Sequence, residues 1–224
     1  MIRSDVDFFI SPCYHTLDIL EFTEVTMIKS ILEIIGTIAF SVSGAVVGIR
    51  KKMDILGVVT LGIITAVGGG VIRDLIIGAV PPTAFRNPIY TLIAIAAAVL
   101  VFLPFISKKI NLDHFIWILA DSIGLGAFTM IGVSTGAAFD NIFLQVFLGV
   151  ITGVGGGVIR DICSGDIPMI FIKHFYACPC IIGAVICAVL TGVDSDVAIV
   201  SGFTVILILR LLAAKYRWHL PKAK

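Results

Sequence analysis

Gly68-Gly69-Gly70-Val71-Ile72-Arg73-Asp74 lies inside an apolar stretch, and Gly155-Gly156-Gly157-Val158-Ile159-Arg160-Asp161 repeats it letter for letter later in the chain. An apolar segment of that length is expected to be a membrane helix, and consecutive glycines weaken a helix more than any residue but proline. A helix broken at membrane depth leaves carbonyls without partners, which is tolerated only where they are buried in protein or line a wet path. The paired triplets therefore predict a membrane protein that moves something small.

Working outward, Leu61 to Pro81 and Leu148 to Pro168 match at 14 of 21 positions without a gap. The preceding spans align one residue further apart: Gly36, Ala39, Phe40, Gly44 and Gly48 correspond to Gly124, Ala127, Phe128, Gly132 and Gly136. Composition agrees with a membrane setting. Residues are 58% hydrophobic and 14% charged, with mean hydropathy +1.10, beyond what a soluble domain of this size carries. A formal charge of +1 gives no reason to expect a nucleic-acid partner.

A crossing needs about 20 apolar residues, and seven segments qualify: Ile28–Ile49, Ile55–Gly78, Ile89–Ile106, Phe115–Gly136, Ile142–Gly165, Phe175–Val193 and Val197–Ala214. Proline at Pro81-Pro82 and at Pro168 is expected to stop the second and fifth. The expected fold is an all-α membrane protein of seven transmembrane helices, an inverted 3+3 repeat plus one, with helices two and five broken at the triplets. Three is odd, so the second copy enters from the opposite face and the pseudo-two-fold axis lies in the membrane plane. The domains follow: a polar extension over 1–27, a first three-helix repeat over 28–113, a second inverted repeat over 114–193, and a seventh helix with a basic tail over 194–224. The acidic start, with Asp5, Asp7, Asp18, Glu21 and Glu24, does not read as a cleaved signal peptide.

Lys and Arg concentrate on one side. With seven spans, one face holds Arg3, Lys29 and Arg86, and the other holds Arg50, Lys51, Lys52, Lys108, Lys109, Lys173, Lys215, Arg217, Lys222 and Lys224. The excess belongs in the cytoplasm. The expected placement is a multi-pass protein of the cell's inner (plasma) membrane, with the N-terminus out and the C-terminus cytoplasmic.

Several residues could carry chemistry. Free carbonyls at Gly68, Gly69, Gly70, Gly155, Gly156 and Gly157 would suit a monovalent cation, whereas new helix N-termini would suit an anion or carboxylate. Glycines can also serve close helix packing alone, but three in succession exceed that need. Arg73, Asp74, Arg160 and Asp161 are ionisable groups inside spans, costly unless paired. Neighbours in sequence do not face each other on a helix, so each arginine is expected to seek another acid: Glu33 for Arg73 and Asp121 for Arg160. Such pairs could fix helices or meet the permeant species. Ser41 and Ser43 in span one, with Thr129, Ser134 and Thr135 in span four, either line a pore or bond back to their own helix.

Other chemistries lack residues. Five cysteines, Cys13, Cys163, Cys178, Cys180 and Cys187, make no metal-ligand spacing. Neither glycine run continues to Gly-Lys-Ser/Thr, and no His-Glu-x-x-His or Gly-x-Ser-x-Gly occurs. No enzyme, cofactor or metal is expected.

Duplicated Gly-Gly-Gly-x-x-Arg-Asp, each followed by Gly-x-x-Pro (Gly78 to Pro81, Gly165 to Pro168), resembles the prokaryotic branch of the trimeric intracellular cation (TRIC) channels, also known as the bacterial glycine transporter domain family. The resemblance spans about Ile28 to Ala214. It implies seven transmembrane helices, a homotrimer in the lipid bilayer, an hourglass pore through each protomer, and potassium-type monovalent cation passage with the kinks of spans two and five at the constriction. Animal members use a basic residue in span four and bind lipid near the kinks; here span four carries Asp121 and no lysine or arginine. The expected function is a passive monovalent cation channel. The alternatives are a secondary transporter of a small zwitterion such as glycine, and a structural membrane protein whose glycines only pack.

Overall fold

The computed structural model describes residues 27–104, 114–172, 175–192, 194–216 and 218. Apart from Met27, the expected N-terminal extension lies outside the described residues, as do Lys108, Lys109, Lys173, Arg217, Lys222 and Lys224. The helices are α1 (Met27–Arg50), α2 (Ile55–Ile76), α3 (Thr83–Arg86), α4 (Ile89–Phe102), α5 (His114–Gly136), α6 (Ile142–Cys163), α7 (Met169–Ile172), α8 (Cys178–Leu190) and α9 (Ser195–Tyr216), with a 3-10 turn at Ala137–Phe139. Within the first repeat α1 packs on α2 and α4; within the second α5 packs on α6 and α8. The repeats meet through α1 against α5 and α2 against α6, and α9 lies on α8 and α5 of the second repeat.

Seven full-length spans were expected. Among the described residues, five helices (α1, α2, α5, α6 and α9) are long and apolar enough to cross a membrane. The third and sixth positions hold shorter apolar helices, α4 with 14 residues and α8 with 13, about 20 Å of rise each. Proline sets their starts: Pro88 precedes α4 and Pro179 lies in the first turn of α8, where a fixed φ and a missing N–H suit a helix start.

The expected break at the glycine triplets is absent. Both α2 and α6 run through their triplets as uninterrupted helix. The cause is visible in what a side chain would strike. A Cβ on Gly69 would lie 2.0 Å from the Thr152 carbonyl oxygen, and one on Gly156 would lie 2.1 Å from that of Thr65. Each triplet lets the partner backbone approach closely, the contact that holds helices together where lipid removes the hydrophobic drive. An apolar setting also offers the backbone no water to replace its helical bonds.

Those two contacts are reciprocal, the mark of a two-fold relation: Gly69 meets Thr152, and their repeat partners Gly156 and Thr65 meet each other. Rising numbers on α2 pair with falling numbers on α6, so the two helices cross antiparallel. The pattern recurs at Gly44 against Leu61 and Gly62, matched by Gly132 against Leu148 and Gly149. It recurs again at Gly36 against Phe128 and Gly124 against Phe40; these two rings meet at a centroid distance of 5.3 Å.

Helix ends are built twice by the same rule. Asp54 caps α2 by accepting from Gly57 N, and Asn141 caps α6 by accepting from Leu144 N. At the other end Gly78 and Gly165 both have φ +75°. Ala79 N donates to Asp74 O and Gly78 N to Leu75 O, with Asp166 to Asp161 and Gly165 to Ile162 as the copy. This left-handed glycine cap ends each helix before the expected proline stop is reached.

The surface is inverted relative to a soluble protein. On α1 the small residues Gly36, Ala39, Ser43, Gly44 and Gly48 are buried while Ile31, Ile34, Ile35 and Ile38 are exposed. Exposed Leu92 and Leu100 on α4, Val185 and Val189 on α8, and Val200 and Ile208 on α9 extend that apolar exterior, far beyond the patches a soluble monomer shows. Lipid is its natural solvent.

Candidate permeation site

The antiparallel crossing of α2 and α6 divides the interior into two halves. Arg73 lies four residues beyond Gly69 and Arg160 four beyond Gly156, so each sits about 6 Å from the crossing, on opposite sides. Both arginines are buried.

Each arginine bonds first to its own neighbour. Arg73 Nε and Nη2 lie 2.9 and 2.8 Å from Asp74 Oδ1, and Arg160 Nε and Nη2 both lie 2.9 Å from Asp161 Oδ1. This corrects the expectation that sequence neighbours cannot pair. The guanidinium arm is long enough to curl back, and each aspartate is held by the chain beyond its helix: Asp74 Oδ2 accepts from Thr83 N at 2.7 Å and Asp161 Oδ2 from Met169 N at 2.9 Å.

Beyond that shared plan the halves differ. In the second repeat, Arg160 Nη1 donates to Asp121 Oδ1 and to Ser43 Oγ, both at 2.6 Å. Arg210 Nη2 reaches Asp121 Oδ2 at 3.3 Å, and Tyr176 OH donates to Asp121 Oδ1 at 3.4 Å. The Trp117 ring lies 5.4 Å from the Arg160 guanidinium carbon and 5.5 Å from that of Arg50, within cation–π reach. A Cβ on Gly157 would meet Tyr176 OH at 2.6 Å. This half is filled.

In the first repeat the expected Glu33–Arg73 pair is not formed: no ion pair joins them among the described residues. Glu33 instead accepts a short hydrogen bond from Tyr90 OH, while Asp74 retains the arginine. Between them lies a cavity of about 50 Å³, lined by Glu33, Thr37, Gly70, Arg73, Asp74 and Tyr90 among others. A Cβ on Gly70, the counterpart of Gly157, would meet only Arg73 Nη2, at 3.8 Å. This half is open.

Four of the candidate hydroxyls, Ser41, Ser43, Thr129 and Thr135, are tied to backbone or to arginine. Ser41 donates to Ala94 O at 2.6 Å, joining α1 to α4, and Thr129 donates to Leu125 O at 2.7 Å. Thr135 donates to Ile131 O at 2.9 Å, and Ser134 is half-buried. Thr65 and Thr152, which the sequence reading passed over, bond back to Leu61 O and Leu148 O and bring their carbonyls to the crossing. Arg210 and Tyr176 also went unassigned. An arginine inside the seventh span was the available signal. Among the described residues no group of three His, Cys, Asp or Glu could hold a metal ion, and Cys163, Cys178, Cys180 and Cys187 are free thiols.

Comparison with known proteins places this arrangement. The family model described as glycine transporter matches residues 30–105 and 118–192, the two repeats. The UPF0126 inner membrane protein YadS of Escherichia coli strain K12 is 37% identical over 84% of this chain and 92% of its own. A TRIC cation channel of solved structure is 40% identical, with TM-score 0.79 over 87% of this chain and 97% of that one. The TRIC trimeric intracellular cation channel orthologue from Rhodobacter sphaeroides is 29% identical, with TM-score 0.80 over 86% and 100%. The matching family and the two solved structures are membrane channels or transporters and not enzymes. The chain is a multi-pass membrane protein and belongs to the glycine transporter family, the prokaryotic branch of the TRIC channels.

Proposed function

We propose that the protein is a passive monovalent cation channel of the potassium type, with a path through each protomer. The path starts in the first-repeat cavity, passes the crossing of Gly68 to Gly70 with Gly155 to Gly157, and leaves through the second-repeat cluster. The carrying observation is the likeness to a TRIC cation channel at 40% identity over 87% of the chain. Local electrostatics support the sign of the ion: among the described residues, the charged ones lining the open cavity are Glu33, Asp74 and Arg73, one negative charge in excess. In this conformation the path is shut, because Tyr176, Arg160 and Arg210 fill the second half and backbone meets backbone at the crossing. The backbone contact at the crossing is flanked by Ile159 against Gly68 and Ile72 against Gly155, so parting α2 from α6 costs that contact area.

The protein assembles as a homotrimer, as its Rhodobacter sphaeroides relative is described, and resides in the inner membrane, as its Escherichia coli relative does. The basic connector Arg50-Lys51-Lys52 supports a cytoplasmic side for the second-repeat cluster, with the N-terminus out. No resident cofactor takes part; the cation is cargo. Purified protein in a planar bilayer should give unitary currents whose reversal potential follows the potassium gradient. Their absence, with protein shown to be inserted, overturns the proposal.

The description of the family model favours one second reading, a carrier of glycine, since inverted repeats serve alternating-access transport as well. Saturable glycine uptake into liposomes without unitary currents would establish it.

A further inference from the structure

The two halves of the pseudo-two-fold should be alike, and the difference between them has an identifiable source. Glu33 corresponds to Asp121, Arg73 to Arg160 and Asp74 to Asp161 by repeat position. Tyr90 and Tyr176 each place a hydroxyl on the carboxylate of their own repeat's first helix. Arg210 has no such counterpart, because it comes from α9, the helix outside the repeat. It supplies a second cation to Asp121 at 3.3 Å, and its guanidinium carbon stands 4.5 Å from the centre of the Tyr176 ring.

Charge follows. Asp121 and Asp161 face Arg160 and Arg210, two against two. Among the described residues, the cavity places Glu33 and Asp74 beside Arg73 and no other charged side chain. The first-repeat half thus holds the same carboxylate, tyrosine and arginine–aspartate pair, lacks the second cation, and contains a cavity instead.

We propose that this cavity binds a monovalent cation at the Glu33 carboxylate, beside the Tyr90 ring, in the place that the Arg210 guanidinium fills in the other repeat. The protein's own arginine shows which charge the environment accepts. A single excess negative charge matches a monovalent ion, since Asp74 is already engaged by Arg73 and Thr83 N. The volume, about 50 Å³, exceeds the 10–15 Å³ that one water needs but requires the ion to shed much of its hydration shell. Potassium or rubidium can do so, whereas magnesium dehydrates reluctantly. That this ion is also the permeant one rests on the channel reading; the site itself does not.

The test uses full-length purified protein. Crystals grown in rubidium chloride should show an anomalous peak in the cavity at Glu33. Thermal stability should rise as potassium or rubidium replaces N-methyl-D-glucamine at constant ionic strength, because an ion that binds only the folded state stabilises it by mass action. Glu33→Gln should remove that rise. An empty cavity in rubidium crystals, or a rise of equal size in Glu33→Gln, overturns the site; the wild-type crystal decides even if the variant fails to fold. A rubidium peak from a preparation that gives no unitary currents would retain the site and overturn the channel, and currents without a peak would do the reverse.

Discussion

Replacing the triplet glycines by alanine one at a time separates close packing from helix breaking, because the six positions have unequal surroundings. In a helix interior, alanine is favoured over glycine by about 0.5–1 kcal/mol. If the triplets existed to loosen their helices, every substitution should stabilise by about that amount. The structure demands otherwise. A Cβ at Gly69 or Gly156 would sit 2.0 or 2.1 Å from a backbone carbonyl oxygen of the other helix, and a backbone cannot rotate aside as a side chain can. Overpacking costs about 1–3 kcal/mol, so Gly69→Ala and Gly156→Ala should each destabilise by roughly 1–2 kcal/mol after the propensity gain. Gly70→Ala meets only Arg73 Nη2 at 3.8 Å and should keep the gain. Gly157→Ala, at the equivalent position, meets Tyr176 OH at 2.6 Å and should lose it. Reversible unfolding in mixed micelles titrated with denaturing detergent measures these differences. If Gly69→Ala and Gly70→Ala shift stability alike, the close-contact account of the triplets is wrong.

Four further outcomes follow from the same geometry. Arg160→Met should cost about 3–5 kcal/mol, the usual penalty for stranding one member of a buried ion pair, and the same detergent titration reads it; a loss below 1 kcal/mol would contradict the burial of Asp121. Arg210→Gln leaves Asp121 and Asp161 facing one arginine, the charge count of the first repeat, so adding it to Glu33→Gln should restore the cation-dependent rise in melting temperature that Glu33→Gln alone removes; no rise in the double variant would count against the charge-matching argument. Gly78→Ala and Gly165→Ala have open space around the Cβ but φ +75°, so each should cost about 1–2 kcal/mol from conformation alone, and equal stability to wild type would mean that the left-handed cap is dispensable. At the surface, Lys51 Nζ donates to Asp166 Oδ1 at 2.5 Å, and that bond, ahead of other causes, holds the Asp166 carboxyl below the usual carboxylate range. A depressed folded-state pKa contributes stability above the unfolded value, near 3.9, that is lost as pH falls through the folded value. Asp166→Asn should therefore flatten the acid limb of the stability–pH curve slightly, an exposed pair being weak; an unchanged limb refutes the coupling.

The repeat was legible in the sequence because it is written in identities: glycines that contact the partner helix must stay glycine in both copies, so Gly69 and Gly156 announce each other. Asp121 with Arg160 was legible for a related reason, since an ion pair inside a membrane needs a partner at matching depth. The broken helices were misread because a local rule, that glycine weakens helices, was applied where tertiary contact decides. One sequence shows that three glycines are present; it does not show that Thr152 O lies where a Cβ would go. The Glu33–Arg73 pair failed for a subtler reason. Sequence symmetry predicts equal halves, and equality is broken by a residue outside the repeat.

That residue carries the functional argument. Two equal halves would be both open or both closed, and a protein closed at both ends leaves an ion no place to wait. With α9 attached to one repeat only, Arg210 adds its charge to Asp121 and not to Glu33, so the polar interior is full on one side and short of one cation on the other. The helix outside the repeats therefore sets where charge is missing among the described residues. On the proposed path, a cation arriving at Glu33 would meet an environment built from the same parts that hold an arginine across the crossing. Moving it further would require that the Asp121 cluster release the positive charge it already has.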